Sequence, residues 1–366
     1  MRLSREAGFT QPQVVELFRW DVELVSQLQQ ESQEFVLKGG AAAQFYITVE
    51  KQRGSVDVDL VYKGDRKSLS QTIGGLREKF ASQQPLFQFE EYVPKKPTAN
   101  LPMQTYDVTL PSVLSESCRI KLDILFLRES IPTQTIHNAR TFAGTAGKVI
   151  CSSKGALVGD KLLTLATRTI GIQKIEDYPK QIYDLEMLGF QGDFRSLELA
   201  DLVSAVKVLT PLEASFRGLS TSLEEALQDV EKSTMALSHV DLTAGDENFK
   251  KAINDFQQFY VPGREMGIKL YEWSCRILRV RFLASLINLH LTKGMTVKEM
   301  DRLLSLSKSI TNRAKSLRGE AVVKSRAEVL KVSRVVEMRE MRGKPLERAV
   351  WQVATPDNLD ALSKII

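Results

Sequence analysis

The chain has 366 residues, 43% hydrophobic and 26% charged, which suits a globular protein of about two domains at ~150 residues each. Collagen-like, low-complexity and disulfide-scaffold classes are thereby excluded. The net charge is +5, yet residues 308–348 alone hold twelve Lys/Arg against five Glu, so the basic character is local and is a footprint for a polyanion.

Cys118, Cys151 and Cys275 form no CxxC pair, and with only three histidines (His137, His239, His290) there is no zinc-ligand pattern. A reducing, cytoplasmic compartment is expected. The first ten residues lack the layout of a secretion signal, and no run reaches the ~18 apolar residues of a membrane span.

Residues 34–37 read as a short strand, Gly39-Gly40 as a tight turn and 41–51 as a helix. A turn at 52–55 leads into a strong strand at 56–62, then a helix over 67–83. Two strands at 87–93 and 103–109 flank a Pro/Lys-rich loop, and 118–127 is a strand with clear alternation. From about 154 nearly everything reads helical: 158–167, a helix capped by Asp177 and ended by Gly189, then 196–209, 221–237, 247–260, 264–291, 296–316 and 319–341. Pro211, Gly218 and Pro262-Gly263 punctuate these helices. The pairs Phe45-Tyr46 and Phe259-Tyr260 read as core.

The chemistry is concentrated in the first half. Side chains alternate along a strand, so Asp57 and Asp59 share one face while Val56, Val58 and Leu60 take the other. Two carboxylates on one face repel each other unless they are solvated or neutralised, and a divalent cation with substrate phosphates does the latter. In 118–127, Ile120, Leu122, Ile124 and Phe126 form the apolar face and Asp123 lies opposite with Arg119 and Lys121. If the two strands pair, three carboxylates converge as in a two-metal site. Gly39-Gly40 at a helix start lets backbone N–H groups approach a phosphate.

The run Leu37-Lys38-Gly39-Gly40, followed by Arg53-Gly54-Ser55-Val56-Asp57-Val58-Asp59-Leu60, resembles the first motif of the polymerase-β-like nucleotidyltransferases, in particular the AbiEii/AbiGii toxin family. Ala41 stands where that family commonly has Thr or Ser. Residues 156–168 resemble its D-K-L-x-A-L-x-x-R helix, and 179–185 its K-D-x-x-D-L helix, with Gln181 in place of the first acid. The resemblance covers roughly residues 33–190.

The resemblance implies an α+β chain. A nucleotidyltransferase domain with a mixed sheet flanked by helices spans 1–190 (core 33–190), and an all-helical domain follows at 191–366. It implies a metal-dependent, pyrophosphate-releasing toxin of a toxin–antitoxin or abortive-infection system, paired with a separately encoded antitoxin. Asp57, Asp59 and Asp123 would hold Mg2+ or Mn2+. Gly39, Gly40, Arg53 and Ser55 would cradle the nucleoside triphosphate. Lys161 and Arg168, seven apart and sharing a helix face, would bind it too. Asp184 would position that lysine, act as a further acid, or pair with Arg168. The expected acceptor is RNA, with the tRNA 3′ end favoured. A protein hydroxyl, or an inactive nucleotide-binding module of the same fold, are the alternatives.

Overall fold

The computed structural model describes residues 2–81, 86–93, 102–191, 196–332, 341 and 343–366, with the side chains of residues 2, 3, 196 and 197 left aside. The chain forms two compact units, Met1–Leu157 with Asp255–Gly267, and Val158–Asn254 with Ile268–Ile366. The division therefore does not fall at residue 190, and the second motif helix region, with Lys161 and Asp184, belongs to the helical unit.

The first unit is built on a seven-stranded mixed sheet. Its strands are β1 (Phe35–Lys38), β2 (Asp57–Tyr62), β3 (Gln88–Glu91), β4 (Met103–Pro111), β5 (Ser117–Phe126), β6 (Thr133–Thr141) and β7 (Gly144–Ser152). Their spatial order is β3-β4-β5-β2-β1-β7-β6. β2 lies between antiparallel β1 and parallel β5, at the centre. Val58 and Leu60 of β2 and Ile120, Leu122 and Ile124 of β5 are wholly buried, so burying this face of the alternation sets the register. Helix α1 (Arg2–Ala7) is followed by α2 (Pro12–Glu31), whose Phe18, Leu24, Val25 and Leu28 are buried against the sheet elements. Helices α3 (Gly39–Gln44) and α4 (Arg66–Ala81) follow β1 and β2.

Several expectations change here. The helix expected over 41–51 is a short α3, then a single 3-10 turn at Val49–Lys51. β6 and β7 have no counterpart in the sequence reading, because β6 is mostly solvent-exposed on both faces and offers no alternation to detect. The Pro/Lys-rich loop lies largely outside the described residues. Phe259 is 41% exposed, and the Tyr46 hydroxyl donates to the Ser152 carbonyl at 2.9 Å, so neither aromatic pair is simply core.

Chain order in the helical unit runs α5 (Lys154–Leu163), whose first residues lie in the sheet unit, α6 (Tyr178–Glu186), α7 (Ser196–Phe216) and α8 (Leu223–Leu237). Then come α9 (Glu247–Phe259), whose residues from Asp255 on lie in the sheet unit, α10 (Leu270–Lys293), α11 (Val297–Ser316), α12 (Glu320–Val332), α13 (Leu346–Val353) and α14 (Leu359–Ile365). Ser222 and Glu225 cap α8 reciprocally, and Thr296 caps α11. Pro211 is inside α7 instead of ending it, and Gly189 lies within a π turn, Met187–Gln191, that continues α6. Asp177 makes no side-chain cap; it pairs with Lys180 at 3.1 Å. The tail of the helix expected over 319–341 lies largely outside the described residues. No described helix is long and apolar enough to cross a membrane.

This unit buries charge. The Arg279 guanidinium grips both oxygens of Glu186 at 2.8 and 2.9 Å and reaches Glu347 at 2.8 Å. Burial alone would raise the Glu186 carboxyl, but Arg279 beside it holds it below the usual range. Arg348, wholly buried, pairs with Asp241, and Lys344 joins the same carboxylate. Breaking a buried pair leaves an uncompensated charge. Arg279→Met should therefore lower unfolding free energy by about 3–5 kcal/mol, read from the denaturant midpoint. Arg302→Ala, which breaks exposed pairs to Glu299 and Asp360, should barely move that midpoint.

Candidate active site

Register brings the first acids together. In the parallel pair β2/β5, Asp59 lies beside Asp123 and Asp57 beside Lys121. Across the antiparallel pair, Asp59 faces Lys38, the residue before Gly39. Asp57 is exposed and Asp59 half-buried, so their shared face opens to solvent.

The Gly-Gly turn is fitted to these acids. Gly39 has φ +70°, where a side chain is strained, and a Cβ there would overlap the Asp59 carboxylate. A Cβ at Gly40 would come 2.9 Å from an Arg53 terminal nitrogen and 3.0 Å from Ser55 Oγ. Gly39, Gly40, Arg53, Ser55 and Asp59 thus meet at one place. Arg53 is buried there, its Nη1 donating to the Gly54 carbonyl at 2.7 Å.

Two glutamines outside the candidate site residues, Gln44 and Gln52, hold this turn. Gln44 Nε2 donates to the Gly40 carbonyl at 2.9 Å, and its Oε1 accepts the Arg53 N–H at 2.8 Å. Gln52, fully buried, donates to the Gln44 carbonyl at 2.8 Å and accepts the Phe142 N–H at 2.8 Å.

Asp123 is already engaged. Thr105 Oγ1 donates to one carboxylate oxygen at 2.6 Å, and the Lys121 ammonium meets the other at 2.7 Å. Burial works against the charged form of Lys121. The hydrogen bond and charge of Asp123, then the charges of Asp57 and Asp59, outweigh this and raise its pKa. Among the described residues no group of three or more His, Cys, Asp or Glu is arranged to hold a metal ion. Register aligns Asp59 with Asp123 as the alternation predicts, and Lys121 holds Asp123 in this arrangement. Asp57 and Asp59 on one open face, beside Asp123, remain an all-oxygen donor set that suits Mg2+ or Mn2+ in chemistry.

Beneath the sheet, Asp21 of α2 is wholly buried with neither carboxylate oxygen hydrogen-bonded. Burial, then the charges of Asp57 and Asp59, push its pKa well above the usual value. The sequence expectations begin at residue 34, so neither α2 nor Asp21 has a counterpart among them.

In the helical unit, Lys161 and Asp184 form a buried ion pair at 2.7 Å, with side chains 3% and 0% exposed. Gln181 Oε1 accepts from the same ammonium at 3.2 Å, so the residue replacing the family's acid keeps an oxygen there and loses the charge. Arg168 does not share a helix face with Lys161. The helix α5 ends at Leu163, and Arg168 is an exposed turn residue whose backbone N–H donates to Asp229 at 2.7 Å. Asp184 is Lys161's partner, which sets aside the pairing with Arg168.

A family model described as nucleotidyl transferase AbiEii toxin, type IV toxin–antitoxin system, matches residues 24–258. Among solved structures, the chain is similar to MenT4, a nucleotidyltransferase toxin of Mycobacterium tuberculosis, at 15% identity and TM-score 0.47, covering 77% of this chain and 87% of that one. It is also similar to an antigenic nucleotidyltransferase-like protein of Paracoccidioides brasiliensis, at 14% identity and TM-score 0.35, over 57% of this chain and 95% of that one. No curated protein matches the chain.

Gly39→Ala should lose nucleotide transfer and lower the unfolding midpoint together, because the added Cβ meets Asp59 at a strained φ. Gly218→Ala, also at positive φ but with open space around it, should leave transfer intact. A second expectation concerns pH. A raised folded-state pKa means the native state keeps Asp21's proton longer than the unfolded chain, so this residue costs stability increasingly as pH rises from 3.8. Asp21→Asn should therefore gain on wild type with rising pH; a pH-independent difference in unfolding midpoints would count against the titration.

Proposed function

Because the chain belongs to the AbiEii nucleotidyltransferase toxin family, and is thus a nucleotidyltransferase, we propose that it is metal-dependent and transfers a nucleotide from a nucleoside triphosphate to an RNA hydroxyl. The tRNA 3′ end is the favoured acceptor. The observation that carries this reading is the register of β2 on β5, which puts Asp59 beside Asp123 with Gly39 packed on the Asp59 carboxylate.

Asp57 and Asp59 hold the cation with the triphosphate. Bound there, Mg2+ or Mn2+ supplies charge neutralisation of the phosphate oxygens. Backbone N–H groups at Gly39-Gly40, with Arg53 and Ser55, cradle the phosphates. Ala41 in place of a hydroxyl residue leaves more of that work to the backbone. Asp123 completes the cation-holding acids and accepts the acceptor hydroxyl's proton. The freed oxygen attacks the α-phosphorus, the bond to the bridging oxygen breaks, and pyrophosphate leaves. Lys161, whose ammonium is buried on Asp184 and Gln181 in the helical unit, carries only what the resemblance implies, a role toward phosphate charge. A separately encoded antitoxin and a cytoplasmic setting complete this reading.

RNA is favoured over protein by exposed charge. Arg313, Lys315, Arg318, Lys324 and Lys331 on or beside α11 and α12 are exposed, whereas Arg334, Arg339 and Arg342 lie outside the described residues. Phosphate contacts by such residues release counterions and make binding fall with salt.

Asp57→Asn and Asp59→Asn should each abolish transfer while the unfolding midpoint stays near wild type. Normal turnover in either variant would remove the assignment. Labelled nucleoside triphosphates with Mg2+ and either total RNA or total protein distinguish the acceptors. Label in small RNA supports the proposal, label in protein alone selects the protein-hydroxyl alternative, and label in neither pool selects a binding module.

A further inference from the structure

Lys121 occupies an unusual position among the acids. It sits beside Asp57 in the parallel ladder and two residues before Asp123 on the same strand face. Its ammonium meets Asp123 at 2.7 Å and feels the charges of Asp57 and Asp59. The other Asp123 oxygen is taken by the Thr105 hydroxyl at 2.6 Å. The side chain is 47% exposed on a flexible four-carbon stem, so the ammonium can leave Asp123 at small cost.

These facts have a consequence for any cation at the same acids. An ammonium 2.7 Å from a carboxylate oxygen repels a divalent ion approaching that oxygen. A triphosphate carries several negative charges and competes with one carboxylate for the same ammonium. We propose that Lys121 is the chain's own counter-cation, which holds Asp123 and weakens divalent-cation binding until the triphosphate draws its ammonium away. The inference rests on the reading of Asp57 and Asp59 as cation-holding acids. Under it, Lys121 is a positioning residue that makes cation binding at Asp123 depend on nucleotide. Thr105 keeps the carboxylate oriented while the ammonium moves.

The test is Mn2+ binding to the full chain, followed by the electron paramagnetic resonance signal of free Mn2+, with and without a nucleoside triphosphate analogue bearing a methylene bridge between the α- and β-phosphorus atoms. Without nucleotide, Lys121→Met should bind Mn2+ about 10-fold more tightly than wild type, since a nearby positive charge is gone. Lys121→Arg should resemble wild type. The analogue should strengthen Mn2+ binding to wild type far more than to Lys121→Met. Unchanged Mn2+ affinity in Lys121→Met, with Asp59→Asn losing binding, would overturn the inference and leave the acid reading standing. Unchanged affinity in Asp59→Asn would overturn both. Lys121 is half-exposed and Thr105 still donates to Asp123, so the Lys121→Met variant should fold, and the unfolding midpoint checks this.

Discussion

Mutual repulsion of carboxylates on one open face of the central strands is the constraint from which the rest of the sheet unit follows. Asp57, Asp59 and Asp123 arise from strict alternation on two neighbouring parallel strands, whose other face is buried. A one-residue slip would drive the acids into the core and Leu60 or Ile124 into water, so the register that assembles the acids is also the register that folds the sheet. The surroundings answer that charge locally. Lys121 and Thr105 hold Asp123, and Gly39 forgoes a side chain so that the turn can lie on Asp59. Asp21 lacks a donor, and burial with the charges of Asp57 and Asp59 pushes its pKa up.

The helical unit uses the opposite solution. It takes charges out of water, but in pairs. Lys161 with Asp184, Arg279 with Glu186 and Glu347, and Arg348 with Asp241 are all buried. Such pairs add little net stability compared with apolar packing, but each strongly penalises the loss of one partner. Their effect is to fix positions. Glu186 lies two residues beyond Asp184 on α6, and the planar Arg279 fork grips both its oxygens. The same guanidinium reaches Glu347 on α13. Arg276 adds a stacked contact over the Tyr183 ring, one residue before Asp184, at 5.3 Å. The helix presenting Asp184 to Lys161 is therefore held along its length by groups far away in sequence.

What was legible in the sequence divides along the same line. Alternation in 56–62 and 118–127 named the buried and open faces of β2 and β5, and the three acids with them, because period-two patterning is local. The Gly-Gly turn and Arg53-Gly54-Ser55 were legible through their spacing. Lys121 was seen on the right face, but its hold on Asp123 depends on where a flexible chain settles. Arg279 lies 93 residues from Glu186 and 68 from Glu347, and no local pattern joins them. The β6–β7 hairpin was missed because β6 has too little buried surface to impose alternation. Pro211 misled in the other direction: its interruption of hydrogen bonding is local, while packing continues α7 through it to Phe216.

The basic stretch at 308–348 shows why summed charge is a poor guide to a surface. Its positive excess looked like one continuous footprint. In the fold, Arg348 is wholly buried on Asp241, Lys344 leans on the same carboxylate, and Lys315 approaches Glu347 at 3.5 Å while staying exposed. The buried members act in internal balance, and their charge does not reach a polyanion. Exposed charge instead gathers along α11 and α12, at Arg313, Lys315, Arg318, Lys324 and Lys331. There the Arg313 guanidinium also caps the carbonyl of Ser363 at 3.0 Å, so one residue joins the helix packing and faces solvent. Under the RNA reading proposed above, attraction to phosphate would fall to this smaller set, in which Lys331 also pairs with Glu328 and Lys315 approaches Glu347.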